Sequence, residues 1–421
     1  MEVLIYMGIL ALALLGTPIF VVMSAFALVA FTYSGVEVSA VPVEIYRIAS
    51  APTLLTIPLF TFAGYMMADS GTPARLLRLA QASLGWMPGG VAIVSLVICA
   101  FFTAFTGASG VTIIALGGLL YPILTKEGFS EKFTLGLITT SGSLGLLFPP
   151  SLPIILYGLV AKVDIDKLFL AGVVPGILLI VILSLWALKN GSATSRKGDK
   201  FSIKELGAAA WGARYEIPLP ILVLGGIYGG YTTASEASAF TAAWVLLMEC
   251  FLYKDIKLFK DIPRIIRESM TLVGAILLIL CCALGMTNYL VDEEIPMKIL
   301  EYMKLHVDSR VEFLIYLNLF LLVVGSLMDI FSAIVIVVPL IVPIATAFGV
   351  HPIHLAIIFL TNLEIGYITP PVGINLFISS FRFKKPVTQL YKASLPYLFL
   401  LLIALMIITY IPELSLFWFD E

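Results

Sequence analysis

The sequence predicts an all-α polytopic membrane protein made of two inverted repeats, each holding a re-entrant helical hairpin and a helix broken at a Pro-Pro pair. Three observations carry this reading. The 421 residues are 60% hydrophobic and 12% charged with a mean hydropathy of +1.05, so the solvent for most of the chain is a bilayer. The apolar segments reach bilayer-crossing length, roughly 20 residues. A shift of 221 positions also lays Pro370-Pro371 on Pro149-Pro150, Gly366 on Gly145, Gly349 on Gly128, Pro343 on Pro122, Thr361 on Thr140 and Gly285 on Gly64. Without gaps, 107–157 matches 328–378 at 10 of 51 positions. The matched prolines and glycines mark backbone breaks, which apolar composition alone does not supply.

In chain order the apolar segments lie near 1–33, 51–68, 88–124, 133–160, 168–188, 217–231, 236–253, 271–290, 311–346, 353–380 and 389–411. They read as helices, because a chain in lipid must satisfy its own backbone. Gly16 and Pro18 make 1–33 either one bent helix or two short ones. Its start carries no basic residue, which argues against a cleavable signal peptide. Cys99, Cys250, Cys281 and Cys282 sit in apolar runs without metal-ligand spacing and read as small hydrophobes. A net charge of −2 gives no case for nucleic acid.

Basic residues set the orientation. Lys189, Arg196, Lys197, Lys200, Lys204 and Arg214 in one loop, and Lys254, Lys257, Lys260, Arg264 and Arg267 in another, place both in the cytoplasm. The acidic stretch at Asp292, Glu293, Glu294 and Glu301 then faces outward, while Arg75, Arg78, Lys126, Lys132, Arg382, Lys384 and Lys385 fall inside. The run 254–268 reads as an amphipathic helix on the membrane surface. On this path the loop at 69–84 is inside and its counterpart near 290–305 outside, so the halves are inverted. The path closes only if 88–124 and 311–346 each enter and leave on one side. Each carries a polar break, Thr106-Gly107-Ala108-Ser109-Gly110 and Gly325-Ser326-Leu327-Met328-Asp329, which makes them hairpins. Inverted repeats with broken helices are secondary-transporter architecture.

Breaks free backbone carbonyls and N–H groups from their helical partners. Carbonyls with Ser, Thr or Asp oxygens can hold Na⁺, and helix N-termini attract carboxylates. The expected first site uses Gly107, Ser109, Gly145, Pro149 and Pro150; the second uses Gly325, Asp329, Gly366, Thr369 and Pro370. Ser109, Thr112, Ser151 and Asp329 are the candidates for substrate contact. Each has a plainer alternative: small hydroxyls also pack helices, Pro-Pro can be only a kink, and Asp329 can be an interfacial acid. For Glu364, a structural hydrogen bond to a neighbouring helix competes with a binding role. Glu236 in Thr-Thr-Ala-Ser-Glu reads as a helix cap, and His306, His351 and His354 as surface or interface residues. Arg47 is a candidate for a substrate carboxylate.

Gly107-Ala-Ser-Gly-Val-Thr112, Ser141-Gly-Ser-Leu-Gly145 with Pro149-Pro-Ser151, Phe169-Leu-Ala-Gly-Val-Val-Pro-Gly176, Gly230-Tyr-Thr-Thr-Ala-Ser-Glu-Ala237, Gly325 to Asp329 and Gly366-Tyr-Ile-Thr-Pro-Pro-Val-Gly373 together resemble one family. It is that of the large membrane subunit of tripartite ATP-independent periplasmic (TRAP) transporters, DctM or SiaM type. The resemblance implies uptake of an organic acid anion, such as a C4-dicarboxylate or sialic acid, across the bacterial inner membrane by symport with two or more Na⁺. It implies a periplasmic substrate-binding protein, a small four-helix membrane subunit, and an elevator-type motion of a transport block against a scaffold. The scaffold would be 1–84 and 217–305. The transport block would be 85–189, with hairpin 88–124 and broken helix 133–160, and 306–421, with hairpin 311–346 and broken helix 353–380. A cytoplasmic basic loop, 190–216, joins the halves. At Ala108 the chain departs from many relatives, which carry a hydroxyl there, leaving Ser109, Thr112 and backbone oxygens as ligands.

Two other classes compete. An ion or solute channel can use inverted broken helices, but no ring of charges marks a pore. An intramembrane protease needs two facing carboxylates, and Asp329 and Glu364 stand in no catalytic motif. There is no Gly-x-x-x-x-Gly-Lys loop for ATP. An enzyme is therefore not expected.

Overall fold

A computed structural model describes residues 2–34, 52–87, 89–191 and 201–419, with Val43 and Tyr46. It is all helical, with no strand among the described residues. Gly16, with φ +90°, and Pro18 divide the first segment into two helices, α1 (Glu2–Leu14) and α2 (Ile19–Ser34). Next come α3 (Thr56–Asp69), α4 (Thr72–Leu84), α5 (Gly90–Thr106), α6 (Ser109–Lys126) and α7 (Glu131–Ser141). A 3₁₀ turn at Leu144–Leu147 and the cis Pro149-Pro150 bond lead to α8 (Leu152–Ala161). The middle of the chain forms α9 (Ile165–Gly191), α10 (Ile203–Gly212), α11 (Pro218–Tyr228), α12 (Ala234–Leu247) and α13 (Ile262–Asp292). The last third forms α14 (Ile295–Lys304), α15 (Arg310–Leu327), α16 (Ile330–Ala347), α17 (Pro352–Gly366), α18 (Ile374–Phe383), α19 (Val387–Tyr410) and the short α20 (Glu413–Leu416). Among the described residues seven helices are long and apolar enough to cross a membrane, eight if α7 and α8, bent by 44° at their break, form one span. The protein is a multi-pass membrane protein.

Local chemistry sets the boundaries. Ser130 and Ser309 cap α7 and α15 by accepting from Phe133 N and Glu312 N. Thr233 and Glu236 form the reciprocal capping box expected at the start of α12.

Helices 221 positions apart in sequence make corresponding contacts. The hairpin helix α6 packs on α18 from the other half, and the hairpin helix α16 packs on α8. Likewise α9 packs on α17, and α19 on α7. Outside this group, α3 and α13 lie beside α12 and α2, and touch the hairpins through α5 and α16.

Ion pairs join segments that the charge pattern assigns to the cytoplasmic side. Arg75 bonds Glu216 and Asp255, and its other nitrogen lies 2.9 Å from Glu249, while Tyr253 stacks 3.7 Å under the guanidinium. Burial opposes the charge on Arg75, but the bonds to Asp255 and Glu216 and the charge of Glu249 outweigh it and hold its pKa above the usual value. Lys385 pairs with Glu131.

Three expectations need correction. Residues 254–261 form turns, not a surface helix: Lys254 has φ +62°, and Asp261 accepts from Lys257 N at 2.9 Å. The helix starts only at Ile262, where Pro263 fits the first turn because its missing N–H has no helical partner there anyway, and Ile256, Ile262 and Ile265 are buried in the protein. His354 is a buried residue, not a surface one: its ring nitrogens meet Ser415 Oγ and Thr409 O, both at 3.2 Å. The second hairpin breaks at Met328-Asp329, and Gly325 lies inside α15.

Candidate ion and substrate site

In the first half the turn is made by Gly107, whose φ of +63° is left-handed and whose N–H donates to Thr103 O at 2.8 Å. A β-carbon there would also run into the Leu152 side chain just beyond Pro150. Ala108 is extended and α6 begins at Ser109. Thr112 Oγ1 lies 2.7 Å from Thr103 Oγ1 and 3.5 Å from Thr106 Oγ1, and Thr103 donates to Gly142 O at 2.8 Å. All three threonines are wholly buried. Gly145, in the 3₁₀ turn, packs directly on the backbone of Ala100 and Ala104. Pro149, Pro150 and Ser151 are buried, and neither Ser151 Oγ nor Thr140 Oγ1 has a hydrogen-bond partner among the described residues. This cluster of hydroxyl and carbonyl oxygens includes no charged side chain among the residues named.

In the second half Asp329 is the N-cap of α16. Its carboxylate accepts from Phe331 N at 3.0 Å, Ser332 N at 3.1 Å and the Ser332 hydroxyl. Tyr367 OH accepts from Ile330 N at 2.9 Å, tying the hairpin tip to the end of α17. Gly325 and Gly366 are in backbone contact, so a β-carbon on Gly366 would overlap the Gly325 main chain. Beyond them the chain turns at the cis Pro370-Pro371 bond, and Gly373 N donates to Ser326 O at 3.2 Å. Thr369 Oγ1 donates to Ile365 O at 2.8 Å. Pro370 and Pro371 are exposed, unlike Pro149 and Pro150.

The residues expected at one site therefore cluster within each half, and the two clusters meet. Ser109 Oγ donates to Asn375 Oδ1 at 2.8 Å, joining the first hairpin to the helix that follows the second Pro-Pro. Asn375 Nδ2 donates to Thr139 O at 3.2 Å, and Thr139 donates to Ser379 at 2.9 Å. Asn375, Thr103, Thr139, Ser332 and Tyr367 were not singled out from sequence. The amide directly after Thr-Pro-Pro-Val-Gly-Ile, at the start of the helix beyond the second break, is the available signal for Asn375; nothing local distinguishes the others. A second polar chain, Asn362 to Asn318 at 2.7 Å and Asn318 to Thr409 at 3.2 Å, was also missed. Arg47 lies outside the described residues. Arg382 and Lys384, by contrast, line a cavity of about 510 Å³ with Ile114, Ser380 and Phe381, and among the described residues neither forms an ion pair with a carboxylate.

Comparison with known proteins bears on this arrangement. Residues 6–414 match the family model of the tripartite ATP-independent periplasmic transporter, DctM component. The chain is 34% identical over 438 residues to the C4-dicarboxylate TRAP transporter large permease protein DctM of Vibrio cholerae, covering 98% of this chain and 96% of that one. It is also 34% identical over 368 residues to the isethionate TRAP transporter permease protein DctMQ of Oleidesulfovibrio alaskensis; this takes in 87% of the chain but spans only 58% of that longer relative. Among solved structures, the YdaH transporter of Alcanivorax borkumensis superposes with a TM-score of 0.57 at 13% identity, over 88% of this chain and 87% of that one, a likeness of fold. The chain belongs to the DctM component family of tripartite ATP-independent periplasmic transporters, and is a large permease subunit.

Proposed function

We propose that this subunit imports an organic acid anion across the bacterial inner membrane by Na⁺ symport, receiving it from a periplasmic substrate-binding protein and working with a small four-helix membrane subunit. The observation that carries the reading is the meeting of two broken-helix clusters at Ser109 and Asn375, each rich in oxygens but poor in fixed charge. Such a site suits Na⁺, which adds the positive charge that an anionic substrate then needs. In the first half the ion would be held by oxygens near Gly107, Ser109, Gly145, Pro149 and Pro150. In the second it would be held near Gly325, Asp329, Gly366, Thr369 and Pro370. Ser109, Thr112, Ser151 and Asp329 are the side chains nearest in kind to substrate ligands. The related C4-dicarboxylate and isethionate permeases support an anionic cargo, as do Arg382 and Lys384, which line a cavity on the side assigned to the cytoplasm.

The motion proposed is of elevator type. The hairpins and broken helices, packed across the halves, would move as one block against α2, α3, α12 and α13. Gly64 supports a sliding contact there, since it brings α3 against the backbone of Phe105 and Thr106. Proteoliposomes containing this chain and its small partner, supplied with organic acids on their binding protein, test the whole reading. Uptake should need both the inward Na⁺ gradient and the binding protein. Flux that ignores the binding protein and runs equally in both directions would mean a channel.

A further inference from the structure

The helix that joins the two clusters carries its polar face on toward the cytoplasm. On α18, Asn375 and Ser379 stand four residues apart and are buried, one bonded to Ser109 and the other accepting from Thr139. Arg382 comes next on the same face, because residues at i, i+4 and i+7 of a helix line up, and it lies about 10 Å from Asn375 along the axis at roughly 1.5 Å per residue. There the helix meets α6. Gly118 makes the seat, since a β-carbon on it would overlap the Arg382 guanidinium. Gly110 and Gly117 lie likewise against Ile378 and Phe383, so small residues let α18 settle closely on α6.

The charge at this end is unbalanced. Glu131 pairs with Lys385 and accepts from Tyr121 OH at 3.3 Å, and Tyr121 stacks on Phe383 with ring centroids 5.3 Å apart. Ser380 Oγ closes the turn by donating to Lys385 O at 2.6 Å. The neighbouring acid is therefore taken. Arg382 and Lys384 are exposed and form no ion pair among the described residues. They line the cavity of about 510 Å³, which is within the usual size of a small-molecule site.

Carbonyls at a helix C-terminus favour nearby cations, but they do not offer the paired oxygens that a guanidinium takes. A carboxylate does, with an ammonium as a second point of charge. We propose that Arg382 and Lys384 form an oxyanion site at the cytoplasmic end of the α6–α18 seam, where the carboxylate of the imported acid is held as it leaves the moving block. This rests on the import of an organic anion proposed above. Position favours that occupant. The helix starts just past the second Pro-Pro break, so an anion released near Ser109 and Asn375 meets Arg382 two helical turns away. Fixed positive charge at the mouth draws it out of a low-dielectric seam. A lipid phosphate shares this chemistry, and the experiment separates the two sources.

Protection of Lys384 from a neutral acylating reagent tests the site without transport. The full chain in phosphatidylcholine nanodiscs, free of Na⁺, is acylated in choline succinate or in choline chloride of equal ionic strength, and peptide mass spectrometry reads each lysine. Succinate should slow acylation of Lys384 but not of the exposed Lys126 and Lys132. Arg382→Gln should weaken this protection roughly two- to fivefold, the worth of one exposed charge contact. If that variant does not assemble, Gly118→Ala, whose β-carbon displaces the guanidinium, should do the same. Equal rates in the two salts overturn the site. Protection by added phosphatidylglycerol but not by succinate makes the occupant a lipid phosphate and overturns the cargo assignment. In proteoliposomes Arg382→Gln should lower maximal Na⁺-driven uptake and leave the Na⁺ requirement unchanged; an unaltered maximum overturns the release role. A wild type without Na⁺-driven uptake would instead sink the import reading, while the Na⁺-free protection still decides the oxyanion site.

Discussion

Asp329 is both the cap of α16 and the one acid at the second break, and two substitutions separate those roles. Asp329→Asn keeps a side-chain oxygen for Phe331 N and Ser332 N, since Asn caps as well as Asp, but removes the charge. Asp329→Ala removes both. The cap alone is worth about 1 kcal/mol, within a range of roughly 0.5–2. Losing the charge-assisted bond from the Ser332 hydroxyl adds on the order of 1 kcal/mol. If the carboxylate also faces Na⁺, losing that attraction at a half-buried site costs about 1–3 kcal/mol, or roughly 5- to 150-fold in apparent Na⁺ affinity. The assay is the Na⁺ dependence of thermal unfolding and of uptake in the same preparations. Asp329→Asn should unfold near the wild-type temperature without Na⁺ yet need at least about tenfold more Na⁺ for half-maximal stabilisation. Asp329→Ala should lose stability and affinity together. Wild-type Na⁺ dependence in Asp329→Asn would refute the ion role and leave the residue as a cap.

Other outcomes follow from the same geometry. Gly366→Ala should abolish uptake and lower the unfolding temperature, because its β-carbon meets the Gly325 backbone, whereas Gly325→Ala, whose nearest neighbour is Leu363 Cα at 3.0 Å, should be milder; equal effects in a paired uptake and melting series would contradict this. Arg75→Met leaves Glu216 and Glu249 buried and unpaired and should cost about 3–5 kcal/mol. Adding Glu216→Gln and Glu249→Gln should recover part of the lost melting temperature. Ser109→Ala strands Asn375 Oδ1 and should lower stability by about 1–3 kcal/mol, with Na⁺-driven uptake as a second readout. Asn375→Leu should slow uptake more than it lowers stability.

The sequence alone determined the solvent, the helical class and the places where helices break. A bilayer leaves a backbone few choices, and Gly107, Pro149-Pro150, Asp329 and Pro370-Pro371 are residues whose own conformational or capping preferences end a helix wherever they stand. Residue patterns such as Thr233-Ala-Ser-Glu236 were legible for the same reason, since a cap is a local bargain between residues three apart. The tertiary structure decided everything that depends on what lies opposite. Charge spacing at 254–268 suggests a surface helix, but burial of Ile256, Ile262 and Ile265 draws that segment inward. Gly325 looks like a break until Gly366 is seen pressed against it, and His354 looks peripheral until Ser415 and Thr409 close over it. Ser109 finds Asn375 across 266 positions, and Glu364 finds no hydrogen-bond partner among the described residues. Periodicity along a helix records which residues are apolar, but the partner of a polar group is fixed only when distant helices pack.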